Sequence, residues 1–260
     1  MTHVLILGCG FTGERVGRRF LDRGANVTVN TRDPARLASL AQQGARVVTL
    51  DNLTANLHPG VRVLYSIPPS GPPGLLAALS TVPERVVYLS TTAVYGTATH
   101  VDATTAVDER SDRARARLAV ERAVTVGPWS SLILRPAAIY GPGRGVQESL
   151  PRGAYHSGEN YVSRIHIDDL AAIAEAALLC DLEGAYPVAD EHPCTTREIA
   201  EFCASLLQLP SIPQPAPGTR SRATSNRRVD GSAIRRALGI TLQYPSYRTG
   251  IPASLKLGAQ

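Results

Sequence analysis

An α/β chain built on a doubly wound parallel sheet is what this sequence predicts, and three observations carry that reading. Short apolar runs alternate with amphipathic stretches through the first hundred or so residues, the strand, helix, strand, helix order of a parallel sheet. The first run, Val4 to Leu7, is too short for a helix and empties into a turn whose Gly8, Gly10 and Gly13 have G-x-G-x-x-G spacing. With 260 residues, 43% of them hydrophobic and 19% charged, the chain can bury one large core or a nucleotide domain with a small appended lobe, and gives no case for disorder.

Taken in order, residues 14–21 form an amphipathic helix, with Val16, Phe20 and Leu21 apolar and Arg15, Arg18 and Arg19 polar; Gly24 closes it. Residues 26–30 give a second strand, and Asp33-Pro34 opens the next helix with proline at its first position. A third strand, 46–50, leads to Asp51, Asn52 and Leu53, and a fourth, 61–67, leads to the proline-rich run 68–73. The strand beginning at Arg85 ends in Ser90, Thr91 and Thr92 and reaches Tyr95. Beyond it, 111–126 is a helix, 130–135 a strand, 168–180 an alanine-rich helix and 185–189 a strand. Thr195-Thr-Arg-Glu198 is a capping box opening a helix to Leu207, and 210–217 is a proline-rich connector, too short of N–H groups for a helix.

Strand ends of a parallel sheet gather at one edge, so the turns after each strand should share a site. Gly8 suits the tight turn, Gly10 lets a pyrophosphate approach the backbone, and Gly13 lets helix and strand pack closely. The free N–H groups of the first helical turn, at Phe11 and Thr12, would then point at the anion. An acidic residue at the end of the second strand would select NAD(H) by bonding the ribose hydroxyls; the sequence has Thr31 and Arg32 there, with Arg36 a turn later. A hydroxyl with guanidinium groups suits a 2′-phosphate, so the expected cofactor is NADP(H) in preference to NAD(H). The plainer alternative is that Arg32 and Arg36 only decorate a helix start. Asp51, Asn52 and Leu53 are candidates for the adenine end, and Ser66, Ile67 and Pro68 for a wall beside the cofactor; each could equally be turn chemistry.

No apolar stretch approaches the ~20 residues needed to span a bilayer, and the N-terminus lacks the features of a signal peptide, so a cytoplasmic protein without membrane partners is expected. Cys9, Cys180, Cys194 and Cys203 are scattered without ligand spacing, which predicts reduced thiols and no metal site. The net charge of +5 comes from 27 basic against 22 acidic side chains, all the basic ones arginine except Lys256. They are spread over helices and not interleaved with aromatics, so solvated helix faces account for them better than nucleic acid. A small-molecule substrate is the expected partner, with a homodimer as the candidate assembly.

Leu89-Ser-Thr-Thr-Ala-Val-Tyr-Gly96 resembles the Ser-Ser/Thr-x-x-Val-Tyr-Gly stretch of the extended short-chain dehydrogenase/reductases, the NAD-dependent epimerase/dehydratase group. Leu134-Arg-Pro-Ala-Ala-Ile-Tyr-Gly-Pro-Gly-Arg144, Arg164-Ile-His-Ile-Asp-Asp-Leu-Ala171, Asn226-Arg-Arg-Val-Asp230 and Tyr244-Pro-Ser-Tyr-Arg-Thr-Gly250 agree, so the resemblance spans nearly the whole chain. It implies an NAD(P)-binding Rossmann domain from 1–135 and 165–189, and a small substrate lobe from 136–164 and 190–260. Pro136 would lie on the cofactor, and Tyr140, Arg144, Arg164 and His166 on the substrate side.

The resemblance also implies a catalytic Ser or Thr and a Tyr-x-x-x-Lys pair on the following helix. Thr91 matches the first. Aligning Arg117-Leu-Ala-Val-Glu121 on the family's Lys-Leu-Ala-x-Glu, however, puts Arg117 at the lysine and Arg113 at the tyrosine. A guanidinium stays protonated, so Arg113 cannot cycle as an acid/base, although the two arginines could clamp an anion. Ala93 stands where sugar-nucleotide dehydratases of the group carry glutamate, which argues against that reaction. Three functions stay open: an NADP(H)-dependent oxidoreductase or epimerase acting on a small polar or anionic substrate with its proton donor moved to Tyr95, Tyr140 or His166; a non-catalytic NADP sensor; and a non-redox enzyme using the same pocket. Tyr95 is favoured as donor on the expectation that Arg113 and Arg117 stabilise its anion.

Overall fold

The computed structural model describes residues 2–53, 57–71, 74–212 and 226–258. At its centre is a parallel sheet of seven strands: β1 (His3–Leu7), β2 (Asn26–Asn30), β3 (Arg46–Val48), β4 (Arg62–Tyr65), β5 (Arg85–Leu89), β6 (Ser130–Pro136) and β7 (Gly184–Val188). Across the sheet they lie in the order β3, β2, β1, β4, β5, β6, β7. The winding therefore runs outward from β1 in one direction and from β4 in the other, and between these two strands the sheet opens a crevice at its carboxyl edge. The doubly wound α/β fold expected from the sequence is the one present.

Period-two alternation divides the core. Val4 and Ile6 face α1 (Phe11–Asp22), and join Val16 and Phe20 in one cluster, while Leu5 and Leu7 join Val63, Tyr88 and Val124 in another on the opposite face. All five residues of β1 are buried, as a strand covered on both faces must be. Helix α1 opens at Phe11, earlier than the periodicity suggests, because Gly10 already supplies the carbonyl that accepts from Glu14 N (2.9 Å). After β2, Asp33 caps a 3₁₀ turn, Pro34–Leu37, its carboxylate accepting from Ala35 N (3.1 Å), and α2 (Ala38–Gln42) is short, ending before Gly44 at φ +105°.

Helix α3 (Asp112–Thr125) is capped by Ser111, whose hydroxyl accepts from Ala114 N (3.1 Å). A one-turn α4 (Val146–Ser149) precedes α5 (Ile167–Leu179), which packs beside α1 on the sheet. The capping box of α6 (Thr196–Leu206) is complete: Thr195 Oγ1 accepts from Glu198 N (3.0 Å) and Glu198 Oε2 from Thr195 N (2.6 Å). A separate apolar cluster gathers Tyr140, Leu150, Ile199, Cys203, Tyr247 and Ile251, drawing on α6 and α8 (Tyr247–Gly258). Helix α7 (Ser232–Leu238) lies elsewhere: Ile234, with Leu242, packs into the main core against α5 and β7. Residues 72 and 73 of the proline run and 213–217 of the expected connector lie outside the described residues, as does the side chain of Asp51. Among the described residues no helix is long and apolar enough to cross a membrane, no His, Cys, Asp and Glu side chains cluster as a metal site, and Cys9, Cys180, Cys194 and Cys203 are free thiols.

Candidate active site

The three glycines of the first turn occupy three different environments. Gly8 has φ +84°, and a Cβ there would stand 3.0 Å from the Ile67 backbone nitrogen. A Cβ on Gly13 would lie 2.8 Å from Cγ2 of Ile6, so side-chain bulk there would push α1 off β1. Gly10 differs: its backbone is extended (φ −105°, ψ −150°) and a Cβ would meet nothing nearer than the Gly8 carbonyl oxygen at 3.9 Å. The fold does not require glycine at this position. What glycine does there is leave open the space above the first turn of α1, which has no side-chain cap and presents its N–H donors to that space.

A cavity of about 540 Å³ opens over this turn, at the crevice between β1 and β4. Gly8 and Gly10 line its floor, Thr31, Arg32 and Arg36 one side, and Ser66, Ile67 and Pro68 the other. The Ser66 hydroxyl donates to the Gly8 carbonyl (2.7 Å) and so ties the end of β4 to the glycine turn. Arg32 is exposed and its guanidinium has no partner among the described residues, whereas Arg36 donates to the Cys9 carbonyl and lies 3.7 Å from Glu14. Asp33 also borders the cavity, with its carboxylate engaged on the Ala35 N–H. Phe11 heads α1 with Arg15 over its ring (4.5 Å) and Arg144 within 5.3 Å of its centre, and Thr12 is buried. Asp51 and Asn52 lie in the turn Leu50–Asn52, Asn52 exposed; Leu53 turns into the core, and it is Leu50 that borders the cavity. Asn30 also borders it, 4% exposed with its Nδ2 unpartnered. Neither Asn30 nor Leu50 carried a sequence signal beyond position at a strand end.

Thr91 caps the 3₁₀ turn Thr92–Tyr95, its oxygen accepting from Ala93 N (3.2 Å), and its own O–H has no acceptor among the described residues. Tyr95 is not as expected. Its side chain is 2% exposed, and the guanidinium on its hydroxyl is that of Arg135 (3.2 Å), on β6, and not Arg113 or Arg117. Burial pushes the phenol up, with the bond from Arg135 only opposing that, so the anion is disfavoured. Arg135 is in turn clamped on Glu121 of α3 (Nη2 to Oε2 2.6 Å, Nε to Oε1 3.1 Å), which also accepts from the Ser90 hydroxyl. Ser90, Tyr95, Glu121 and Arg135 thus form a closed, buried network joining β5, α3 and β6. Arg117 reaches back to the sheet and donates to the Tyr88 hydroxyl (2.9 Å), while Arg113 is exposed without a partner among the described residues. Pro136 ends β6 paired with Val188 and is not among the residues lining the cavity over the glycine turn.

A second cavity, of about 620 Å³, lies beyond β6 and is lined by Tyr140, Arg144 and Arg164. The Tyr140 ring forms part of its wall, but its hydroxyl is turned to the Ser246 carbonyl (3.4 Å) and packs on Gly250, and burial pushes the phenol far up. His166 stands behind this wall, edge-on to Tyr140 at 5.2 Å and fully buried. Its Nδ1 accepts from Asp168 N (3.2 Å), capping α5, and Nε2 lies 3.1 Å from the Ser254 hydroxyl. Burial first, then Arg15, lowers its pKa to about 4 against the pull of Asp168. With the folded value below the unfolded 6.5, the stability His166 contributes is present above about 6.5 and is lost as pH falls toward 4. Thermal midpoints measured over that window should fall more steeply for the native protein than for His166→Gln; parallel curves would show that the imidazole is not the titrating group.

Two family models match the chain: the coenzyme F420-dependent NADP oxidoreductases over residues 3–94 and the NAD-dependent epimerase/dehydratase family over 71–180. A conserved protein of unknown function from Silicibacter pomeroyi is 28% identical, with both chains fully covered and a TM-score of 0.85. The UDP-glucuronic acid 4-epimerase of Bacillus cereus, solved with UDP-glucuronic acid and NAD, superposes with a TM-score of 0.78 at 16% identity, over 100% of this chain and 99% of that one. A 3-diazoavenalumate denitrifying reductase of Streptomyces is 27% identical over 160 residues, 53% of this chain and 51% of the relative, so the chain aligns with about half the length of that curated protein. The sheet order, the glycine turn and the Thr91 to Gly96 stretch agree with the match over 71–180, so the chain is similar to the extended short-chain dehydrogenase/reductases, the NAD-dependent epimerase/dehydratase group, and consistent with an atypical member that has arginines where the group has Tyr-x-x-x-Lys.

Proposed function

We propose that the protein is an NADP(H)-dependent oxidoreductase of the reductase kind, holding the dinucleotide in the crevice between β1 and β4 and a small anionic substrate in the cavity of Tyr140, Arg144 and Arg164. The observation that carries it is the composition of the crevice: Thr31, Arg32 and Arg36 gather at the end of β2, and the carboxylates described beside them are engaged, Asp33 as a cap and Glu14 on Arg18 and Arg36. An NAD-selective site needs a free carboxylate there; a 2′-phosphate needs cations. The open space over Gly10 fits a pyrophosphate, held by the N–H groups of α1. When bound, the cofactor would supply hydride. The chain would supply the Thr91 O–H toward the reacting group, a substrate cavity rimmed by Arg144 at the cofactor end, and the buried Glu121–Arg135 brace that fixes β5 and β6 relative to α3. The name of the curated relative, a reductase, supports the direction.

Calorimetry should show NADP(H) binding at least ~10-fold tighter than NAD(H), on the order of 1.4 kcal/mol. Arg32→Asp should reverse that order. Equal affinities in the native protein would sink the assignment, and a variant that keeps its NADP preference would transfer the phosphate contact to Arg36.

A further inference from the structure

Among the described residues three arginines are buried without a carboxylate partner, and one of them lines a cavity. Arg85 spends Nε, Nη1 and Nη2 on the Ala177 carbonyl, Ser130 and the Leu182 carbonyl. Arg227 spends Nε, Nη1 and Nη2 on the carbonyls of Ala98, Thr92 and Gly96. Both bind backbone carbonyls and neither lines the cavity of Tyr140, Arg144 and Arg164. Arg164, 5% exposed, uses Nη1 on the Val162 carbonyl (3.0 Å) and Cys194 Sγ (3.3 Å), and Nη2 once, on the Tyr155 hydroxyl (3.1 Å). A guanidinium has five N–H donors, so Nε–H and one Nη2–H remain, on a side chain that lines the 620 Å³ cavity.

No carboxylate forms an ion pair with Arg164 among the described residues. The nearest candidate by its electrostatic effect, Asp190, is itself 2% exposed, and burial holds its carboxyl up at about 8, so at neutral pH it is largely uncharged. A desolvated cation with unspent donors is costly unless an anion completes it. Tyr155 adds a donor at the same place: its oxygen accepts from Arg164, its own O–H has no acceptor among the described residues, and burial pushes this phenol up to about 12, so it keeps that proton.

The rest of the cavity is mostly apolar, walled by Ala138, Ile139, Val146, Ile199 and Ile251. Two buried side-chain atoms among its lining residues have no partner among the described residues, Gln147 Oε1 and His156 Nε2. Gln147, 3% exposed, donates both its amide hydrogens, to the carbonyls of Gly141 (2.9 Å) and Arg144 (3.0 Å), which fixes its orientation and leaves Oε1 an unpartnered acceptor. The cavity therefore offers a buried guanidinium with a phenol donor beside it and a mostly apolar body, with Arg144 also on its lining.

From this we infer that the substrate is a small monocarboxylic acid with an apolar body, its carboxylate on Arg164 and Tyr155. This rests on the cavity assigned to substrate above. The test is calorimetry on the full chain with 3-(4-hydroxyphenyl)propionate, the corresponding primary amide and UDP-glucose, with NADP titrated separately. The acid should bind at least ~10-fold tighter than the amide, as charge-assisted bonds to a buried guanidinium require. Tyr155→Phe, which removes one hydroxyl and leaves Arg164 in place to hold the fold, should cut acid binding several-fold and leave amide and NADP binding unchanged. Equal affinity for acid and amide overturns the inference, as does binding of UDP-glucose in preference to the acid. Acid binding without NADP binding would remove the proposed reductase function and leave the carboxylate site standing; NADP binding without acid discrimination would do the reverse.

Discussion

Glu121→Gln should be the most destabilising conservative change in the chain, with a loss of about 3–5 kcal/mol and a thermal midpoint lower by roughly 10 °C. The carboxylate takes two hydrogen bonds from Arg135 and one from Ser90, with all three side chains buried. Neutralising it leaves a guanidinium in the interior with no counter-charge, and the cost is the desolvation of that ion, larger than the worth of the pair itself. Tyr95→Phe provides the contrast. It removes one hydroxyl from the same network and leaves the charges paired, so about 1 kcal/mol is expected. Differential scanning calorimetry of the two variants decides the matter: equal losses would mean that the network is held by packing and not by the ion pair.

The fold was legible because it is written in short-range pattern. The runs of β1 to β5, the serine cap at Ser111, the capping box at Thr195 and the glycine spacing are each properties of a few neighbouring residues. The cofactor crevice was legible for the same reason, since in a parallel sheet every loop after a strand comes to one edge and the adjacency of Thr31, Arg32 and Ser66 follows from the topology alone. The centre of the chain was not. Placing Arg113 and Arg117 near Tyr95 required knowing which way a helix is turned about its axis, and α3 spends that face differently: Arg117 on Tyr88, Glu121 on Arg135. Glu121 and Arg135 lie 14 positions apart on a helix and a strand with no local motif linking them. Tyr155 lies in a stretch with no periodicity, so nothing short of the tertiary structure places it beside Arg164.

Gly10→Val should abolish dinucleotide binding, with an affinity loss of at least ~100-fold, on the order of 3 kcal/mol, while the thermal midpoint stays within about 2 °C of the native value. The two halves of this expectation come from different observations. The backbone at Gly10 is extended and a Cβ there would have only the Gly8 carbonyl oxygen near it, at 3.9 Å, so neither strain nor a clash destabilises the fold. The branched side chain would instead project into the space over the first turn of α1, where the uncapped N–H groups would meet a pyrophosphate, and a contact made through backbone donors cannot be restored from further away. Gly13→Val supplies the control, because its Cβ would stand 2.8 Å from Ile6 Cγ2 and force α1 away from β1. That variant should lose stability by about 1–3 kcal/mol as an overpacked core does, with any loss of binding following from the displaced helix. A Gly10→Val protein that binds NADP as tightly as the native chain would reduce the glycine set to a tight turn, and with it the assignment of the crevice to a dinucleotide.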